Sequence, residues 1–102
     1  FKAFSKAKEP VNYKTIIIQD TICARWLKPN GGSMEYLNKL KMPTLVITGD
    51  EDEVVPWKNS EMISDSIQNS TLIRMDKGGH GLMYQYPKVM GNYILTFFEQ
   101  KQ

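Results

Sequence analysis

Residues 42–56, "MPTLVITGDEDEVVP", set a short apolar run between a proline and an acidic turn. The run from Thr44 to Thr48 is rich in β-branched residues, too short for a helix and stopped by Gly49, which predicts a buried strand. Beyond it, Trp57, Met62, Ile63 and Ile67 fall on one face of a helix, and "TLIRM" at 71–75 repeats the strand pattern. The final segment is helical: Pro87 suits a first turn, and Val89, Met90, Tyr93, Ile94, Phe97 and Phe98 recur at steps of three and four. The order strand, helix, strand, helix defines an α/β arrangement. Two strands joined through a helix are expected to run parallel with a right-handed crossover, which brings the loops after both strands to one sheet edge.

Those two loops are chemically distinct. The first, "GDEDEVVP" at 49–56, is acidic; the second, "DKGGHG" at 76–81, holds His80, the only histidine of the chain. The topology thus brings a carboxylate and an imidazole together although Asp52 and His80 are 28 positions apart. An acid that fixes a histidine tautomer and stabilises its imidazolium is the supporting half of a nucleophilic triad. The same residues also admit plainer readings, with His80 a hydrogen-bonded loop residue, residues 50–53 a solvated turn, and Gly78, Gly79 and Gly81 the makings of a tight turn. No calcium-loop spacing follows the acids and the glycines lack the phosphate-loop pattern, so neither a metal site nor a cofactor site is expected.

Ahead of residue 42 the pattern changes. Ile22, Cys23, Trp26 and Leu27 recur at helical spacing up to Pro29 and "NGG", and Ser33 is placed to cap a second short helix carrying Leu37 and Leu40. "TIIIQ" at 15–19 reads equally as helix or strand. The boundaries expected are a helical segment over 1–41 and an α/β segment over 42–102.

Composition limits the remaining classes. With 41% hydrophobic and 24% charged residues the chain is ordinary globular material. Residues 1–30 carry six Lys or Arg against two acids, but Lys2, Lys6, Lys8 and Lys14 are spread apart without aromatic interleaving, so a solvated face is expected and nucleic acid is not an expected partner. No run reaches the roughly 18 apolar residues of a membrane-spanning helix. One cysteine excludes an internal disulfide; Cys23 is expected to be a buried thiol, and a soluble protein, with the cytoplasm favoured, is the expected setting.

Taken together, "MPTLVITGDEDEVVP", "GGHG" and the terminal amphipathic helix resemble the C-terminal third of an α/β-hydrolase, in which nucleophile, acid and histidine follow in that chain order. The resemblance runs from about Met42 to Gln100 and implies Asp52 as the acid, in preference to Asp50, and His80 as the base. "EYLNKLKMP" at 35–43 resembles the approach to that strand, and residues 1–41 the end of an inserted helical cap. There is no G-x-S-x-G elbow and no HGGG-type loop in the chain. Its serines are Ser5, Ser33, Ser60, Ser64, Ser66 and Ser70, none at a strand-to-helix elbow. The resemblance therefore implies a C-terminal portion of a longer protein that hydrolyses a small ester-like acyl substrate. On its own the chain is expected to be inactive and to need the missing portion or a second copy to cover its apolar faces. Two other readings stay open: a binding protein that kept the hydrolase shell, and a hydrolase with an aspartate nucleophile acting on epoxides or carbon–halogen bonds. Trp26, Met83, Tyr84 and Tyr86 are candidates either for lining a substrate pocket or for core packing.

Overall fold

The structure is a computed structural model and describes residues 12–100. Lys2, Lys6 and Lys8 of the basic segment lie outside the described residues. The chain divides into two compact units, with the boundary between Ser33 and Met34.

The first unit contains one described helix, α1, Tyr13–Trp26. Asn12 starts it, its Oδ1 accepting the Lys14 N–H at 2.9 Å and so satisfying one of the amides a helix start leaves open. That cap favours helix for the ambiguous "TIIIQ" stretch, against a β-branching penalty of only a few tenths of a kcal/mol for each of Ile16, Ile17 and Ile18. The helix stops at Leu27, and Asn30 takes a left-handed φ of 62° in the turn that follows. Cys23 is exposed, contrary to the expected buried thiol: none of the α1 side chains is buried, so the apolar spacing that suggested burial finds no cover among the described residues.

The second unit is the α/β part. A short helix α2, Met34–Leu37, leads to strand β1, Thr44–Gly49; helix α3, Trp57–Asp65, crosses to strand β2, Ser70–Met75; a single turn α4, Leu82–Gln85, precedes helix α5, Pro87–Glu99. β1 and β2 are parallel, in a register that pairs Thr44 with Ser70, Ile47 with Ile73 and Gly49 with Met75. α2 ends before Leu40, which was expected to lie on it, and α4 has no counterpart in the expected elements. Ile67 lies past the end of α3 yet is buried: the Ser66 N–H closes the last turn onto Met62 and Ile63, and the chain then folds Ile67 beneath the sheet. Ser64 and Ser70 share a 2.6 Å hydrogen bond that ties the end of α3 to the start of β2, and Ser66 Oγ bonds back to the Met62 carbonyl. These two serines of α3 and its cap have structural partners.

Burial is thin. Among the described residues, Leu37, Thr48, Ile67, Met75 and Leu82 carry the buried side chains, and no large side chain is completely enclosed. Met90, Ile94, Phe97 and Phe98 of α5 line an open groove of about 540 Å³ with Pro43, Leu45 and Ile47, and Phe98 remains 74% exposed. The far edge of β1 is unpaired among the described residues.

Candidate active site

The acid loop begins where β1 ends. Two residues past Gly49 the chain turns, and Asp52 directs Oδ1 at its own backbone, accepting the N–H groups of Val54 at 2.9 Å and Val55 at 2.8 Å. This is the local side-chain-to-backbone turn that aspartate forms readily. It commits one carboxylate oxygen to shaping the loop and leaves Oδ2 for another partner. That partner is His80: Oδ2 and Nδ1 are 3.1 Å apart, the only ion pair among the described residues. The Val55 N–H, followed by the His80 and Val54 contacts, holds the Asp52 carboxyl below the ordinary aspartate range, with its burial opposing them. Asp52 is ionised at neutral pH and can only accept, so the proton between the two belongs to Nδ1. Nε2 of neutral His80 then carries the lone pair. The side chain of Asp52 is 9% exposed and that of His80 59%, so the acid is shielded and the base faces outward.

Besides that side-chain contact, backbone hydrogen bonds hold the histidine loop to the acid loop. The Asp50 N–H donates to the Met75 carbonyl at 3.1 Å and the Glu51 N–H to the Gly78 carbonyl at 2.9 Å, which extends the strand pairing past the sheet. At the crossing, Gly49 and Gly78 are both buried and pack backbone on backbone. A Cβ on Gly49 would overlap the Gly78 carbonyl, and one on Gly78 would fall 2.9 Å from the Gly49 Cα. Lys77, just before Gly78, bends the chain with a left-handed φ of 55°. After His80, Gly81 opens α4, and Gln85 at its end returns to the loop: its Oε1 accepts the Gly79 N–H at 2.7 Å.

Both residues expected at the site, Asp52 and His80, are thus in contact, and Asp50 is not part of that contact. Its Oδ1 is buried without a hydrogen-bond partner. A cavity of about 260 Å³ opens beside the pair, lined by Ile47, Thr48, Val55, Leu82, Met83 and Met90, with Ser60 reaching it from α3. Ser60 sits inside a helix and not at a strand-to-helix turn. Of the expected lining residues, Met83 meets this cavity, Tyr84 is exposed, and Tyr86 lines a separate hollow along β2 with Arg74 and Lys77. Gln85 was not singled out from the sequence; its only signal there is an amide side chain five residues beyond a glycine-flanked histidine.

The sequence pattern of the TAP-like protein family of α/β-hydrolases matches residues 9–102. A 2-hydroxy-6-oxo-6-(2'-aminophenyl)hexa-2,4-dienoic acid hydrolase of Metapseudomonas resinovorans is 30% identical over 80 residues, which is 76% of this chain and 28% of that protein. Among solved structures, an alpha/beta hydrolase enzyme from a Medee basin deep-sea metagenome library superposes with a TM-score of 0.67 at 30% identity, over 71% of this chain and 26% of its own. A serine hydrolase involved in carbazole degradation, the CarC enzyme, gives 0.67 at 26% identity, over 88% of this chain and 36% of its own. The chain therefore spans only about a quarter to a third of these relatives. It belongs to the α/β-hydrolase family, and its two parallel strands and their helices are built on that fold.

Proposed function

We propose that this chain supplies the acid and the base of an acyl hydrolase, with Asp52 and His80 as two members of a Ser-His-Asp triad. The observation that carries the reading is the 3.1 Å contact between Asp52 Oδ2 and His80 Nδ1, which engages Nδ1 and leaves Nε2 as the ring nitrogen available to a nucleophile. The nucleophilic serine and the oxyanion donors come from residues outside this chain, in a longer protein of which residues 1–41 form the end of a helical cap and 42–102 the last part of the core. The serine hydrolase among the structural relatives supports that choice of nucleophile.

In that mechanism the serine hydroxyl loses its proton to His80 Nε2 as its oxygen bonds to the acyl carbon of a small ester-like substrate. The imidazolium, steadied by Asp52, then delivers the proton to the departing alkoxide as the carbon–oxygen bond breaks. Water repeats the sequence on the acyl-enzyme, and the free acid leaves. The apolar lining given by Ile47, Val55, Leu82 and Met83 suits the hydrocarbon part of such a substrate.

The test is hydrolysis of a small activated ester by the complete protein. His80→Ala should lower turnover by several orders of magnitude. Asp52→Asn should lower it by about 10⁴-fold, because the new amide N–H would face Nδ1 and reverse the tautomer. Lys77→Ala should have little effect, and the 102-residue chain alone should not turn over. Near-normal activity in His80→Ala overturns the proposal, as would an elbow with no serine: an aspartate there directs the chemistry to epoxides or carbon–halogen bonds, and no nucleophile at all leaves a binding protein.

A further inference from the structure

His80 stands between two glycines, Gly79 and Gly81, with Gly78 one step earlier. Glycine leaves φ and ψ broadly open on both sides, and a base needs its ring fixed within a few tenths of an ångström of the productive position. The Asp52 contact restrains one ring nitrogen but not the peptide that carries the ring. The side chain that bonds nearest to it is Gln85, on the peptide between Gly78 and Gly79, one residue before His80. Its Oε1 accepts the Gly79 N–H at 2.7 Å, from the end of a single helical turn that begins two residues after His80. The loop from Gly79 to Gln85 is thereby closed on itself. The Tyr84 and Gln85 N–H groups bond to the Gly81 carbonyl at 2.8 and 3.2 Å, so the turn that bears Gln85 is itself anchored beside His80.

We infer that Gln85 is a positioning residue for His80, acting through the Gly79 amide to keep Nδ1 on Asp52 and Nε2 toward the nucleophile. This rests on the triad reading above and extends it to a residue that touches neither substrate nor the reacting atoms. Gln85 is on the exposed side of the turn, and its bond to the loop adds little burial. Its effect is therefore expected in the rate rather than in the fold.

The experiment compares Gln85→Met, which keeps the length and removes the strong acceptor, with Gln85→Glu, which keeps the acceptor, in the complete enzyme. Gln85→Met should lower kcat about tenfold with KM nearly unchanged, the scale of one lost hydrogen bond, while Gln85→Glu should restore most of the rate. Thermal midpoints of both should stay close to that of the parent. The decisive measurement is the double variant with Asp52→Asn. Once the Asp52–His80 alignment is gone, Gln85→Met should cost less than twofold further, since both changes act on the same contact. A full tenfold loss on top of Asp52→Asn, or a wild-type kcat in Gln85→Met, overturns the inference. Loss of activity in His80→Ala alongside normal Gln85→Met would leave the triad standing and remove only this role. Normal activity in His80→Ala would instead remove the triad.

Discussion

The edge of the sheet where the two loops meet and the flank of α5 are built on opposite terms. At the edge, two buried glycines allow backbone to lie on backbone, two interloop hydrogen bonds extend the pairing, and both oxygens of Asp52 have partners. Along α5, large side chains line a groove that no described residue covers on its outer side. Among the described residues the first region has its contacts made and the second leaves its outer side open. The geometry of the candidate site is thus local, held by contacts among some thirty residues, whereas the stability beneath it depends on apolar surface that these residues leave open.

The strongest way to break this contrast is at the glycine crossing. Gly49→Ala in the complete protein should cost about 3 kcal/mol or more, because a buried methyl group would have to displace a backbone carbonyl. Gly78→Ala should cost somewhat less, about 2 kcal/mol, its nearest neighbour being 2.9 Å away. Urea denaturation would measure both, and unchanged midpoints would show that the loops are not held where described.

Along the other flank the expected effect is on assembly. The 102-residue chain should sediment at micromolar concentration as a species larger than a monomer, and Phe98→Glu should shift it toward the monomer by placing a charge in the groove. A compact, stable monomer would mean that the open flank needs no cover.

A smaller effect separates the two regions by pH. The Asp52 carboxyl sits below its unfolded value, so its contribution to stability is fully present above the ordinary aspartate range, near 3.9, and disappears as pH falls through the lowered folded value. The stability gap between the complete protein and its Asp52→Asn variant should accordingly shrink as pH falls below about 4. A gap independent of pH down to 2 would contradict the hydrogen bonding described for that carboxylate.

The smallest effects concern glycine itself. Gly91 lies inside α5 in open space, with nothing within 4 Å of where a methyl group would sit, so Gly91→Ala should stabilise the helix by about 0.5–1 kcal/mol. Lys77, in a left-handed conformation, should gain about 1 kcal/mol on replacement by glycine. Opposite signs for Gly49→Ala and Gly91→Ala would show that backbone approach, and not glycine content, shapes the edge.

How much of this was legible in the sequence follows the same division. β1, β2, α3 and α5 could be read because strand runs stopped by glycine and a helix begun by Pro87 carry their own punctuation, and the parallel crossover then placed Asp52 and His80 at one edge. The choice of Asp52 over Asp50 rested on the family resemblance, while its physical basis, the turn that Oδ1 makes with Val54 and Val55, depends on backbone angles that four successive acids do not reveal. Gln85 escaped for a similar reason: a one-turn helix has too few residues for a periodic signal. Cys23 was misjudged because apolar spacing describes a helix face and says nothing of what covers it.

The register of the two strands has a practical consequence for chain engineering. Asp52 lies three residues past Gly49 and His80 five past its partner Met75, so their meeting depends on short spans counted from one end of the sheet. The connection between the strands turns at the opposite end, at exposed Gln68 and Asn69. That turn is accordingly a place to open the backbone or splice in a reporter segment, separating acid and base into different polypeptides that the sheet can rejoin.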